Sequence, residues 1–306
     1  MQTVLITGGT GMIGSALALF LQEEGYRIIV LTRKTGNFER KDGIRYAKWD
    51  PRNNEMDMEA LGEADHIVHL AGANIGRGKW TREKKKEIRD SRITGTRFLM
   101  ELLSRFPNKV ISFISASATG YYRPNEDLFL KEMDAASGDF LGEVCASWEA
   151  EAQRMATLGK RVVILRTGIV LSATGGMLPA LVQPLKLGIA AVPGTGQQWI
   201  SWIHIRDLVR LYATAVNNIH LNGIINAVTP FPVTQLQLVT HLAHVIKGKY
   251  YLPFYCPAFF LRLFMGEKGA ELLKSSKVSA EKLLQTGFEF SFPTVEGAME
   301  DLYGRK

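Results

Sequence analysis

TVLITGGTGMIG, Thr3–Gly14, is the stretch from which the fold of this 306-residue chain is read. Val4, Leu5 and Ile6 are consecutive apolar residues, the pattern of a strand covered on both faces of a parallel sheet. Glycines follow at Gly8, Gly9, Gly11 and Gly14, and from Met12 to about Gly25 the residues Ile13, Leu17, Phe20 and Leu21 recur at helical spacing. Strand, glycine turn and amphipathic helix make the first half of a dinucleotide-binding unit. In that reading Gly8 permits the tight turn, Gly11 lets backbone N–H groups approach a pyrophosphate, and Gly14 lets the helix pack on the strand. The helix N-terminus holds the anion by its unpaired donors and its dipole. Thr7, Thr10, Met12 and Ile13 complete the cofactor-facing turn. An ordinary Gly-rich turn is the plainer alternative, and the position between an apolar strand and an amphipathic helix argues against it.

The end of the next strand, Arg27–Thr32, selects the cofactor. A binder of NAD places an Asp or Glu there to accept the ribose hydroxyls. This chain has Thr32-Arg33-Lys34, two cations and no carboxylate, and Arg33 can grip a 2′-phosphate in a forked pair. NADP(H) is therefore expected over NAD(H), with a plain surface arginine as the alternative.

Further along, Ile44–Ala47 reads as a third strand, with Asp50 after it directed to the adenine end. Asp65–Leu70 reads as the fourth and ends in Leu70-Ala71-Gly72-Ala73, small residues against which the cofactor's sugar and pyrophosphate can lie. A helix is expected over Arg82–Phe106 and a fifth strand over Val110–Ile114, delivering SASATGYY (Ser115–Tyr122) to the same edge. Phe140–Leu158 reads as helix and Val162–Leu165 as the sixth strand. Gly175-Gly176 opens an excursion, Trp202–Val216 returns as a helix, and Ile224–Val228 is a further strand. Pro230–Lys306 is expected to be mostly helical, with a terminal strand at Gly287–Phe292.

Composition sets outer bounds. The chain is 46% hydrophobic and 22% charged, without internal repeats, as for a globular α/β protein. No basic-then-apolar leader precedes Thr3, and Cys145 and Cys256 form no metal or redox spacing, so a cytoplasmic protein is expected. Tyr250–Phe264 is apolar but carries Pro253 and Pro257 and is too short to span a bilayer, which leaves buried core or a homo-oligomer contact and argues against a membrane partner. The net charge of +7 thickens at Lys79–Arg92. Interleaved Glu83, Glu87 and Asp90 favour a solvated helix face over a nucleic-acid patch. His66 and His69, three apart in a strand-like run, fall on opposite faces, and His241 and His244 share a helix face without a third ligand nearby, so no metal is expected.

TGGTGMIG, HLAGANI (His69–Ile75), SASATGYY and RTGIVLS (Arg166–Ser172) together resemble the extended branch of the short-chain dehydrogenase/reductase superfamily, the NAD-dependent epimerase/dehydratase group. WTREKKKEIRDSRITGT (Trp80–Thr96), GDFLGEVCASWEAEA (Gly138–Ala152), GTGQQWISWIHIRD (Gly194–Asp207) and GFEFSFP (Gly287–Pro293) narrow it. With them the chain resembles the subgroup labelled "epimerase family protein", which carries a C-terminal domain of unknown function. The resemblance implies an α/β protein: a Rossmann-type doubly wound parallel sheet with NADP at its carboxyl edge, and a smaller, mainly helical domain closing a substrate cleft. The expected division is 1–171, completed by about 202–228, against 172–201 with 229–306.

The resemblance also implies a tyrosine acid/base with a lysine four residues on, and a serine that steadies the substrate oxygen. Such a tyrosine needs the cation, because a phenol otherwise titrates near 10. Ser117 falls at the serine of that motif. No tyrosine here has a lysine four positions later, and Leu141 and Cys145 fall about where the pair would lie. Tyr121 and Tyr122 are the candidate replacements, with packing as their alternative; Cys145 is a further candidate, though a buried helical thiol is usually inert. Ser115 lies on the cofactor edge, and Arg166 either orients cofactor or substrate or pairs with a carboxylate. In nucleotide-sugar epimerases an arginine precedes the Ile-His motif; Gln197-Gln198-Trp199 stands there instead, which weakens a nucleotide-sugar substrate. Trp199 and Trp202 line a pocket or fill core, and His204 and Asp207 brace the returning helix.

The sequence thus points to an NADP(H)-dependent oxidoreductase or epimerase acting on an unidentified small molecule. Ser117 would hold the substrate oxygen, with Tyr121 or Tyr122 as proton donor. A catalytically silent NADP-binding sensor is the rival, motivated by the missing Tyr–Lys pair, and a nucleic-acid-associated protein is a third reading.

Overall fold

The computed structural model describes residues 1–33 and 43–304. Strand β1 (Thr3–Thr7) leads into helix α1 (Met12–Glu23), followed by β2 (Arg27–Thr32) and β3 (Arg45–Asp50). A short return strand β4 (Glu55–Met56) and helix α2 (Met58–Glu63) precede β5 (His66–His69), the long α3 (Arg82–Arg105) and β6 (Ser112–Ala118). Then come β7 (Asn125–Leu130), α4 (Phe140–Gln153), β8 (Arg161–Thr167), β9 (Ile169–Leu171), α5 (Leu178–Leu185), β10 (Ile189–Pro193), β11 (Trp199–Ile200), β12 (Trp202–His204), α6 (Ile205–Asn217) and β13 (Gly223–Ala227). The remainder is β14 (Val233–Thr234), α7 (Gln235–Lys247), β15 (Leu252–Cys256), α8 (Ala258–Met265), α9 (Glu267–Glu271), β16 (Ser276–Val278), α10 (Glu281–Gln285) and α11 (Val295–Tyr303).

The main sheet runs β13-β8-β6-β5-β1-β2-β3-β4, parallel throughout except at the β3/β4 edge. Chain order reverses at β1, with β2 and β3 on one side and β5, β6, β8 and β13 on the other. The crevice beyond the carboxyl ends of β1 and β5 is the switch point where such folds bind their ligands. Alternation along β1 feeds two cores: Val4 and Ile6 pack with α1 and α6 through Leu17, Leu21, Leu208 and Tyr212, while Leu5 faces α3 through Phe98, Leu99 and Leu103. A third core joins Leu178, Leu185, Trp202, Leu238, Leu242 and Met299 from α5, β12, α7 and α11. Among the described residues no helix is long and apolar enough to cross a membrane.

Four local expectations are corrected. The third strand starts at Arg45 and runs through Asp50 rather than ending at Ala47, because Trp49 is needed in the core against α3. Trp202–Val216 is not one helix. Trp202–His204 pairs in parallel with Ile169–Leu171, and α6 starts only at Ile205, with His204 Nδ1 accepting from Arg206 N–H at 3.2 Å. Gly287–Phe292 forms no strand. The Ser291 and Phe292 N–H groups donate to the buried Asp207 carboxylate at 2.8 and 2.9 Å, while Phe288 and Phe290 pack on the α1/α6 core. Asp207 and His204 therefore do brace this helix. Finally, Tyr250–Phe264 is not buried: β10 gives Ala190 and Val192 to the third core, but its neighbour β15 is exposed over Leu252–Tyr255, α8 buries none of its residues, and Tyr250 is 87% and Phe259 68% exposed.

Candidate functional site

The glycine turn is built as the sequence requires. Gly8 has φ +69, and a Cβ there would stand 2.8 Å from the Leu70 carbonyl carbon, so the β1 turn lies directly on the end of β5. A Cβ on Gly14 would stand 2.3 Å from the Gly8 carbonyl oxygen, which fixes glycine where α1 crosses the strand end. Side chains cap the first turns of α3 (Thr81), α4 (Asp139), α6 (His204) and α7 (Thr234). Helix α1 begins at exposed Gly11 with no side-chain cap and no acidic residue in its first turn. Its first N–H groups and positive dipole end are thus left for an anion, and the donor set fits a dinucleotide pyrophosphate. From the other side the Gly175-Gly176 turn closes down on Met12; a Cβ on Gly175 would meet Met12 Sδ at 2.9 Å.

Of the remaining cofactor residues, Thr7 is corrected. It is buried, and its Oγ1 accepts from Leu70 and Ala71 N–H at 3.1 Å each and contacts His69 Nδ1 at 2.8 Å. It fastens the two strand ends together and presents no side chain to a ligand. Burial, helped by the Arg92 charge, pulls His69 down to about 3, so the ring is neutral and bridges Thr7 to Thr96 Oγ1 at 3.0 Å. Thr10, Met12, Ile13, Leu70, Ala71, Gly72 and Ala73 sit partly or fully exposed along the edge. Arg33, at the end of β2, is exposed and makes no ion pair among the described residues; Lys34 lies outside them. Asp50 lies two strands from β1 and accepts from Arg52 N–H and Asn53 Nδ2, both at 3.1 Å, so it shapes its own turn.

At the β6 end the structure assembles a buried network. Arg166 clamps Glu149 through two bonds of 2.8 Å, from Nε to Oε1 and from Nη2 to Oε2. Its Nη1 donates to the Tyr122 hydroxyl at 2.9 Å and the Glu132 carbonyl at 3.0 Å. Ser117 donates to Glu149 Oε1 at 2.5 Å, and Tyr122 donates to Asn226 Oδ1 at 2.6 Å. Burial works against the Arg166 charge, but the Glu149 carboxylate outweighs it and raises the guanidinium above its ordinary value. Burial pushes the Tyr122 phenol up to about 12.

These contacts correct several expectations. Tyr122 is too buried and too weak an acid to serve as proton donor. Arg166 pairs with a carboxylate instead of facing the cofactor. Ser117 is enclosed, its hydroxyl hydrogen committed to Glu149. Ser115 is likewise buried, donating to the Ala116 carbonyl at 3.0 Å. Tyr121 alone of the catalytic candidates is partly exposed, lying against the Arg166 guanidinium at 3.4 Å from the ring centroid. The Cys145 thiol, buried on α4, is pushed up to about 11 by burial, so it is no thiolate at neutral pH. Trp202 is core, donating to the Phe231 carbonyl, whereas Trp199 is half-buried beneath Lys277.

Sequence reasoning passed over two features. Glu149 is the hub of the network, and only its place beside Trp148 in the α4 motif signalled it. The second is a strap, Glu267–Val278, laid across the site: Glu267 pairs with Lys85, Lys268 with the Gly76 carbonyl, and Lys274 with the α4 cap Asp139 at 2.9 Å. Lys84 and Lys86 are paired along α3 with Glu87 and Asp90. The basic run is therefore largely neutralised. His241 pairs with Glu296 at 3.0 Å, and among the described residues no cluster of metal-ligating side chains occurs.

Comparison with known proteins adds to this geometry. The sequence profile described as the NAD dependent epimerase/dehydratase family matches residues 4–227, and that of a domain of unknown function, DUF1731, matches residues 256–302. The epimerase family protein SSP1921 of Staphylococcus saprophyticus is 36% identical over 303 residues, covering 99% of both chains. The epimerase family protein YfhF of Bacillus subtilis is 32% identical over 302 residues, covering 98% of both. The human epimerase family protein SDR39U1 (isoform 2), solved with NADPH, superposes with a TM-score of 0.87 at 28% identity, covering 99% of each chain.

Proposed function

The chain belongs to the NAD dependent epimerase/dehydratase family, and within it we propose an NADP(H)-dependent oxidoreductase or epimerase acting on a small molecule. The observation that carries the choice of cofactor is the end of β2, where Thr32 is followed by exposed Arg33 and no carboxylate. A guanidinium there suits a 2′-phosphate, and an acidic residue would repel it. The NADPH in the human relative supports the same choice. Bound NADP(H) supplies the hydride acceptor or donor. The chain's own residues hold it: the α1 N-terminus takes the pyrophosphate, and Leu70–Ala73 provides a close-packed floor. Tyr121 is partly exposed and its ring lies on the Arg166 guanidinium of the Ser117–Glu149–Arg166 network, and we assign it the proton. Residues 1–171 with 202–228 form the cofactor half, and 172–201 with 229–306 the half that closes over the substrate.

Calorimetric titration with NADPH and NADH tests this reading. NADPH should bind at least 10-fold tighter, and Arg33→Glu should abolish that margin, a change of about 1.4 kcal/mol or more. Equal or tighter NADH binding by the wild type would overturn it. A second reading, a silent NADP-binding sensor, is favoured by the enclosure of Ser117 and Tyr122. Stopped-flow absorbance of the NADPH-loaded protein against a carbonyl library separates the two: oxidation with some carbonyl class supports the enzyme, and none supports the sensor.

A further inference from the structure

Arg166 and Arg92 both lie close to the carboxyl edge, and among the described residues only the first is neutralised by a carboxylate. Arg166 has Glu149. Arg92, on α3, donates from Nη1 to two main-chain carbonyls, Ala73 at 3.3 Å and Ile88 at 3.0 Å, and forms no ion pair with a carboxylate among the described residues. It is packed tightly: a Cβ on Gly72 would stand 3.0 Å from its Cζ, and its other side lies 5.2 Å from the centroid of the Trp148 ring on α4. Burial pulls its pKa below the ordinary arginine value. The Trp148 indole N–H is itself buried and has no acceptor among the described residues. Facing helices thus bring together a partly exposed guanidinium that has main-chain acceptors but no carboxylate among the described residues, and a buried indole donor without an acceptor among them. Such an arrangement is costly unless an anion completes it.

We propose that Arg92, flanked by Trp148, is the anion-receiving group of the substrate site, taking a carboxylate or phosphate oxygen of the substrate. This rests on the cofactor-edge reading above. The substrate class is then a small anionic carbonyl or hydroxy compound. The cofactor's own pyrophosphate is the other source of anionic oxygen, and the topology argues against it. The α1 N-terminus serves that group at β1, whereas Arg92 lies on α3, beyond the end of β5 and against Trp148 of α4. The fork of an arginine suits a two-oxygen anion, which a single N–H would hold only by one edge.

The test uses the full-length protein, loaded with NADPH, with oxalate and inorganic phosphate as probes in calorimetric titrations. Saturable binding of one of them is expected in the wild type. Arg92→Met should weaken it at least 10-fold while NADPH affinity stays within 2-fold. Arg92→Lys, which keeps the charge and loses the fork, should weaken it 3- to 10-fold; it carries the test if the methionine variant does not fold. A 10-fold loss of NADPH affinity in either variant would assign Arg92 to the cofactor and overturn the proposal. So would the absence of saturable probe binding in the wild type, or probe binding unchanged in the variants. The same titration without cofactor reads the Arg92 site even if NADPH does not bind, so failure of the cofactor reading shows separately.

Discussion

At the scale of the residue, the site is governed by which charges are compensated. Arg166 and Glu149 are buried together and bonded twice, so removal of either partner would strand the other's charge, the costly event for such pairs. Ser117 and Tyr122 belong to that pair's surroundings, which is why residues that read as catalytic are enclosed instead. His69 gives a pH prediction with a definite sign. Its folded pKa is about 3, below the unfolded value near 6.5, so on acidification the unfolded chain takes a proton that the folded protein refuses. Its contribution to stability is complete above pH 6.5 and is lost as pH falls through the window down to about 3. Urea unfolding at pH 7 and pH 4.5 should therefore show a loss of roughly 2–3 kcal/mol from this group. His69→Asn should flatten that part of the profile, and an unchanged profile would contradict the assignment.

At the scale of the element, the strap Glu267–Val278 is the part best placed to govern access. It is tied by side-chain ion pairs at α3 and at the α4 cap, while its last residues are held by β16 pairing with β7 and by hydrogen bonds linking Ser275, Ser276 and Val278 to Trp199 and Ser201; of its apolar side chains only Val278 is fully buried. Exposed and half-exposed pairs of this kind contribute about 0–1 kcal/mol each and weaken with salt. Opening of the strap should therefore cost far less than global unfolding. Hydrogen exchange should be fast over residues 267–278 relative to α3. Lys274→Ala or 0.5 M salt should speed it several-fold while α3 stays protected; equal protection of strap and α3 would show the strap to be part of the rigid core.

At the scale of the whole molecule, one apolar core lies beneath α1 and α6 and takes in Leu283 and Phe288 from the C-terminal segment, while another joins α5, α7 and α11 to Leu171 and Trp202 of the paired strands β9 and β12. A ligand that binds only the folded protein stabilises it by mass action, about 2.7 kcal/mol at 100 times Kd. NADPH should accordingly raise the melting temperature more than NADH at equal concentration, and a larger shift with NADH would reverse the cofactor choice. The sequence by itself determined the doubly wound class, the glycine turn and the switch point, because alternating burial and the sterics of Gly8 and Gly14 act over a few neighbouring residues. Tertiary structure alone decided that Trp202–His204 is a strand, that Gly287–Phe292 stays irregular, and that Ser117, Tyr122 and Arg166 are closed in while Arg92 has no counter-ion among the described residues. Those outcomes depend on partners 17 to more than 80 residues away, such as Glu149 for Arg166 and Asp207 for Ser291 and Phe292. Local pattern carries no information on which distant charge will arrive to compensate a given side chain.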